Sequence, residues 1–83
     1  MMEEKRIAVA AIVIDDPTAV SEVNAVLHSF NDVIIGRMGI PYKERGISLI
    51  SVAIDASPDK ISSLTGRLGH IRGVSVKAAI SKK

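Results

Sequence analysis

The 83-residue chain is 47% hydrophobic and 24% charged, the balance of one small globular domain (residues 1–83) rather than of a disordered segment. It has no cysteine, which excludes disulfides, thiolate catalysis and cysteine-held zinc or iron–sulfur clusters. A net charge of +2 is too mild for a footprint on nucleic acid or an anionic membrane, and the apolar segments are too short for a membrane-spanning helix; a cytoplasmic protein is expected.

Residues 5–14, KRIAVAAIVI, form an unbroken apolar run rich in β-branched residues, the pattern of a strand covered on both faces. Asp15-Asp16-Pro17 ends it, with Asp16 placed to cap a helix whose first position suits Pro17. Val20, Val23, Leu27 and Phe30 then recur at helical spacing, and Asn31-Asp32 closes that helix. A second strand begins at Val33-Ile34-Ile35 and continues through Gly36-Arg37-Met38-Gly39-Ile40-Pro41-Tyr42. Two glycines and a proline place it at a sheet edge running into a loop. Lys43-Glu44-Arg45-Gly46 reads as a polar turn joining it to a third strand, Ile47–Asp55. Ser57-Pro58-Asp59 repeats the helix-start chemistry, and Ile61, Leu64, Leu68 and Ile71 mark a second apolar helix face. Gly66 and Gly69 lie within this helix and allow close approach to a neighbour. Gly73 breaks the chain, and alternation over residues 74–81 predicts a strand with one wet face.

The order strand, helix, strand, strand, helix, strand is also a repeat. Ile7, Val9, Ile12, Ile14 and Asp15 recur as Ile47, Leu49, Val52, Ile54 and Asp55. One inserted residue later, Pro17, Val20, Val23, Leu27 and Phe30 recur as Pro58, Ile61, Leu64, Leu68 and Ile71. Two similar βαβ halves predict an α+β ferredoxin-like βαββαβ sandwich, an antiparallel sheet with both helices on one face. The two doubly apolar strands, first and third, then belong in the centre. In the first, either Ala8, Ala10, Ile12 and Ile14 or Ile7, Val9 and Val13 must point away from the helices. A bare apolar patch of that kind marks an interface, so a homo-oligomer, dimer or tetramer, is expected.

No nucleophile and base can be paired, and the phosphate-loop pattern is absent because Gly36-Arg37-Met38-Gly39 lacks the following Gly-Lys-Ser/Thr. No enzyme activity and no cofactor are expected. His28 and His70 both fall late in a helix, where a histidine complements the macrodipole; they reach a metal-ligand count only across an oligomer axis. Asp15 and Asp16 read as a turn residue and a cap, with cation binding as the alternative. Aromatic residues are 2% of the chain, so the base-stacking platform of an RNA-binding sheet is missing. Gly36–Tyr42 is the segment least explained by packing. It reads either as a bulged edge strand with its hairpin loop, or as a ligand or partner surface where glycine permits close approach and Arg37 pairs an anion.

The stretch Ile14-Asp15-Asp16-Pro17-Thr18-Ala19-Val20 through Leu27 resembles the strand-to-helix start of ACT regulatory domains, which bind amino acids and similar effectors at subunit interfaces. Gly36-Arg37-Met38-Gly39-Ile40-Pro41-Tyr42, Leu64-Thr65-Gly66-Arg67-Leu68-Gly69 and Gly73-Val74-Ser75-Val76-Lys77 resemble the small regulators of the iron-only hydrogenase system. That family is ACT-like and akin to the effector domain of the nickel-responsive repressor. The resemblance covers nearly the whole chain and implies a regulatory role.

The departures narrow what it implies. Amino-acid-binding ACT domains carry a glycine where this chain has Thr18; Asp16 and Thr18 remain the contacts the resemblance assigns. The repressor's nickel ligands are histidines and a cysteine, and Ile47–Asp55 contains neither. Only Met1–Arg6 precede the first strand, too few for a DNA-binding segment, so no direct nucleic-acid binding is expected. The expected protein is a non-enzymatic regulatory module that oligomerises and binds a small effector through Asp16, Thr18, Gly36, Arg37, Met38, Gly39 and Tyr42, acting through a partner protein. The alternative is a ligand-free assembly protein that docks a partner through Gly36–Tyr42.

Overall fold

The computed structural model describes residues 4–82. Its elements are β1 (Arg6–Ile14), α1 (Val20–Ser29), β2 (Ile34–Tyr42), β3 (Ile47–Ala56), α2 (Pro58–Gly69) and β4 (Val74–Ile80), joined into one antiparallel sheet in the order β2-β3-β1-β4. This is the predicted βαββαβ arrangement, with β1 and β3 central.

Both helices begin as their caps dictate. The Asp16 carboxylate accepts from the Thr18 backbone N–H at 3.0 Å, and Pro17 to Ala19 make a single 3-10 turn before α1. Ser57 Oγ accepts from the Lys60 N–H at 3.2 Å, with Pro58 at the first turn of α2. The helix faces spaced in the sequence are the ones that bury: Val23 and Leu27 of α1, with Ile61, Leu64 and Leu68 of α2, lie inside. They pack on Ala8, Ala10, Ile12 and Ile14 of β1 and Ile50, Val52 and Ile54 of β3. Small alanines at the centre of β1 let the helices sit close to the sheet.

Several local expectations are corrected. α1 ends at Ser29 with Phe30 as its cap, earlier than Asn31-Asp32, because the Phe30 ring turns into the core. β2 starts at Ile34 rather than Val33, and its register shifts between Ile34 and Gly36, which leaves Ile35 as a bulge residue. Beyond the bulge β2 stays paired through Pro41 and Tyr42 instead of running into a loop. An edge strand tolerates proline because only one of its sides must donate. Gly69 approaches a neighbour, its Cβ position lying 3.4 Å from Val76 Cγ1, whereas the Cβ position of Gly66 meets nothing within 4 Å.

Candidate functional site

Strand alternation decides where each candidate side chain goes. The helix-facing residues of β1 and β3 are the buried ones, so their neighbours in sequence face the other way. Across the sheet this open face presents rows in register. One row runs Gly36, Ala53, Val9, Ala79, and the next but one runs Ile40, Leu49, Val13, Ser75. Nothing among the described residues covers these rows. Ile7 and Val9 are each 47% exposed, Met38 60%, Ile40 47% and Tyr42 40%. Met38, Ile40 and Leu49 border an apolar recess of about 260 Å³ floored by Ala11, Val13 and Ser51. The face left bare is therefore the Ile7, Val9, Val13 set.

The same alternation divides Gly36–Tyr42. Gly36, Met38 and Tyr42 belong to the open face. Arg37 and Gly39 register with Val52 and Ile50 and so face the helices. Arg37 Nη2 donates to Asn24 Oδ1 at 2.6 Å, tying the edge strand to α1. Arg37, Gly39, Pro41 and Asn24 line a second recess of about 260 Å³ between α1 and β2. Asn24 was missed in the sequence because it adjoins the apolar stripe and looks like a solvated position. Its only signal in the sequence is the four-residue spacing from Val20, which in the fold lines the same groove.

Asp16 and Thr18 form a third group. Asp16 lies against Gly73 at the β4 side of the sheet, while Arg37 and Gly39 lie on the β2 edge. One chain therefore does not bring the seven candidate residues into a single pocket. The Thr18 hydroxyl donates to Asp16 Oδ1 at 2.8 Å and its backbone N–H to the same oxygen at 3.0 Å. These two bonds, helped by the positive charge of Arg72, hold the Asp16 carboxyl below the usual carboxylate range. A depressed folded-state pKa gives stability that is present above the unfolded pKa and lost as pH falls through the folded one. Asp16→Asn keeps a capping oxygen but not the charge. Thermal melts from about pH 5 down to about pH 2 should show the native protein's advantage over Asp16→Asn shrinking as the pH drops; a constant gap would contradict the hydrogen-bonded carboxylate.

His28 lies in the last turn of α1 and His70 caps α2, both exposed. Among the described residues no three histidine, aspartate or glutamate side chains group to hold a metal ion. No helix among them is long and apolar enough to cross a membrane.

A third concavity, about 420 Å³, opens between the helices, walled by Glu22 and Val26 of α1 and by Gly66, Arg67, His70 and Ile71 on the α2 side. Gly66 forms its open floor. A mid-helix glycine costs about 1 kcal/mol relative to alanine, and here a Cβ would meet nothing within 4 Å among the described residues. Gly66→Ala should therefore raise stability by about 1 kcal/mol, read from a urea melt; a loss would mean that a neighbour not visible in the fold occupies that space.

The chain matches the model of the TM1266-like family, "Iron-only hydrogenase system regulator, putative", over residues 6–78. Among solved structures it is similar to the uncharacterized protein TM1266 from Thermotoga maritima, at 38% identity and a TM-score of 0.90, covering 95% of this chain and 100% of that one. The C-terminal domain of the MgtC protein from Mycobacterium tuberculosis shares the fold at 21% identity and a TM-score of 0.68, covering 99% of this chain and 94% of that one. A formyltetrahydrofolate deformylase from Pseudomonas putida KT2440 shares it at 11% identity and a TM-score of 0.63, over 88% of this chain and 28% of that one. The comparison with curated proteins found no match.

Proposed function

The chain belongs to the TM1266-like family of iron-only hydrogenase system regulators, and on that premise we propose that it is a non-enzymatic regulatory module that self-associates through its open sheet face and holds a small effector at the rim of that interface. The observation that carries this reading is the half-exposed apolar surface of β1 and β2, formed by Ile7, Val9, Met38, Ile40 and Tyr42. A small domain that leaves two central strands uncovered on one side has a surface to bury against a second copy.

Within one chain Asp16 and Thr18 sit at one side of the sheet and Arg37 and Gly39 at the other, so the effector reading centres on the β2 edge, where Arg37 stands beside the open face. Arg37 is the anchor for an anionic effector, because its guanidinium is held in place by Asn24 while keeping further N–H donors free for a bidentate partner.

A native mass spectrum of protein purified gently and without added ligand tests this. The expected result is an oligomer carrying a stoichiometric excess mass, with the excess lost and the oligomer kept in Arg37→Ala. An oligomer with no excess mass would overturn the effector part of the reading and leave a module that docks a partner protein through Gly36–Tyr42.

A further inference from the structure

We propose that the cleft between α1 and α2 is a second binding site, separate from the sheet interface, for a small aromatic acid bearing a hydrogen-bond donor at its far end. It does not depend on the regulatory reading. The cleft is the largest of the concavities described above, about 420 Å³, within the usual range for small-molecule sites. Its two walls carry opposite charges, with Glu22 on α1 facing a wall that carries Arg67 and His70. Its floor is apolar, made of Val26, Ile71 and the bare backbone of Gly66.

Each part of that arrangement selects a part of the ligand. Arg67 is prepositioned: its guanidinium lies 5.4 Å from the centre of the Phe30 ring, and its Nη1 makes a long 3.5 Å contact to Ser29 Oγ. Both partners are neutral, so the charge and the remaining N–H donors are available to a carboxylate, which a guanidinium binds through paired hydrogen bonds. His70 on the same wall offers a second donor. The Glu22 carboxylate accepts from a hydroxyl or amine at the opposite end of the guest and repels a second acidic group there. A flat ring fits the floor, because the Cβ that every residue but glycine would place at Gly66 has only open space around it. Gly69 of the same helix packs on Val76, whereas no contact among the described residues accounts for Gly66; a guest lying against the backbone would.

The probe is 4-hydroxybenzoate, titrated into the isotopically labelled protein and followed by backbone amide NMR. The expected result is saturable shifts centred on Val26, Gly66, Arg67 and Ile71, with a Kd on the order of 1 mM for a ligand of this size. Gly66→Leu puts a side chain into the cleft; its Cβ meets nothing within 4 Å and leucine is a good helix former, so the variant should fold and weaken binding by about tenfold or more. Arg67→Gln should do the same, and benzoate, which lacks the hydroxyl, should bind several-fold more weakly. Shifts that do not saturate, that centre on Met38 and Leu49 of the sheet face, or that persist unchanged in Gly66→Leu would overturn the proposal.

Discussion

Gly73→Ala should be the most damaging single-methyl change in the protein, lowering stability by about 3 kcal/mol and the melting midpoint by about 10–20 °C. Two effects add. Gly73 has φ 81°, a left-handed conformation that costs an L side chain about 1–2 kcal/mol. A Cβ there would also lie 2.7 Å from Asp16 Cβ and 3.4 Å from Asp16 N. Asp16 has little room to move, because the Asp15 N–H donates to Gly73 O at 2.7 Å and Asp16 caps the turn that starts α1. The clash therefore lands on the joint between β1, α1 and β4. Gly46 separates the two effects. Its φ is 66°, yet its Cβ position meets nothing within 4 Å, so Gly46→Ala should cost only about 1 kcal/mol. Denaturant melts of the two variants side by side check this; equal losses would mean that the contact with Asp16 contributes nothing.

If the open face is the interface proposed above, Val9→Lys should abolish self-association and leave the fold intact. Val9 sits at the centre of the open face, between Ala53 and Ala79 on the flanking strands, and in the isolated chain its side chain is half exposed. A lysine there reaches water in the monomer, so the circular dichroism spectrum should be unchanged. Against a second copy the same ammonium group is buried without a partner, at about 3–5 kcal/mol. Self-association should weaken by at least about 100-fold, read as a shift in elution by size-exclusion chromatography with light scattering. Lys77 serves as a control, since it lies on the same face in β4, across from Ala11. Lys77→Ala removes a charge from the rim and should leave association intact or strengthen it. Unaltered association in Val9→Lys would move the interface elsewhere.

Most of the architecture was legible because it follows from local chemistry repeated twice. The caps at Asp16 and Ser57, the prolines that follow them, and the matched apolar spacing of the two helices mark both βαβ halves, and the order of apolar and amphipathic strands fixes the edges. Which side of β1 meets the helices was not legible. Both sets of residues are apolar, and only packing volume separates the alanine-bearing row from the Ile7, Val9, Val13 row. The candidate site was less readable for a related reason. Gly36–Tyr42 read as an edge strand running into a loop, and in a loop its side chains could converge. As a paired strand it sends Arg37 and Gly39 to one face and Gly36, Met38 and Tyr42 to the other. The interhelical cleft left one sign in the sequence, Gly66, but Gly69 three residues later packs closely on Val76, and the two glycines cannot be told apart without the fold.

The central claim is that the bare sheet face is covered by another copy of the chain, and sedimentation velocity of the unaltered protein over a dilution series tests it most directly. The account predicts a dimer or tetramer of the 8.8 kDa chain that persists to micromolar concentration or below. A single species at the mass of one chain throughout the series would contradict it.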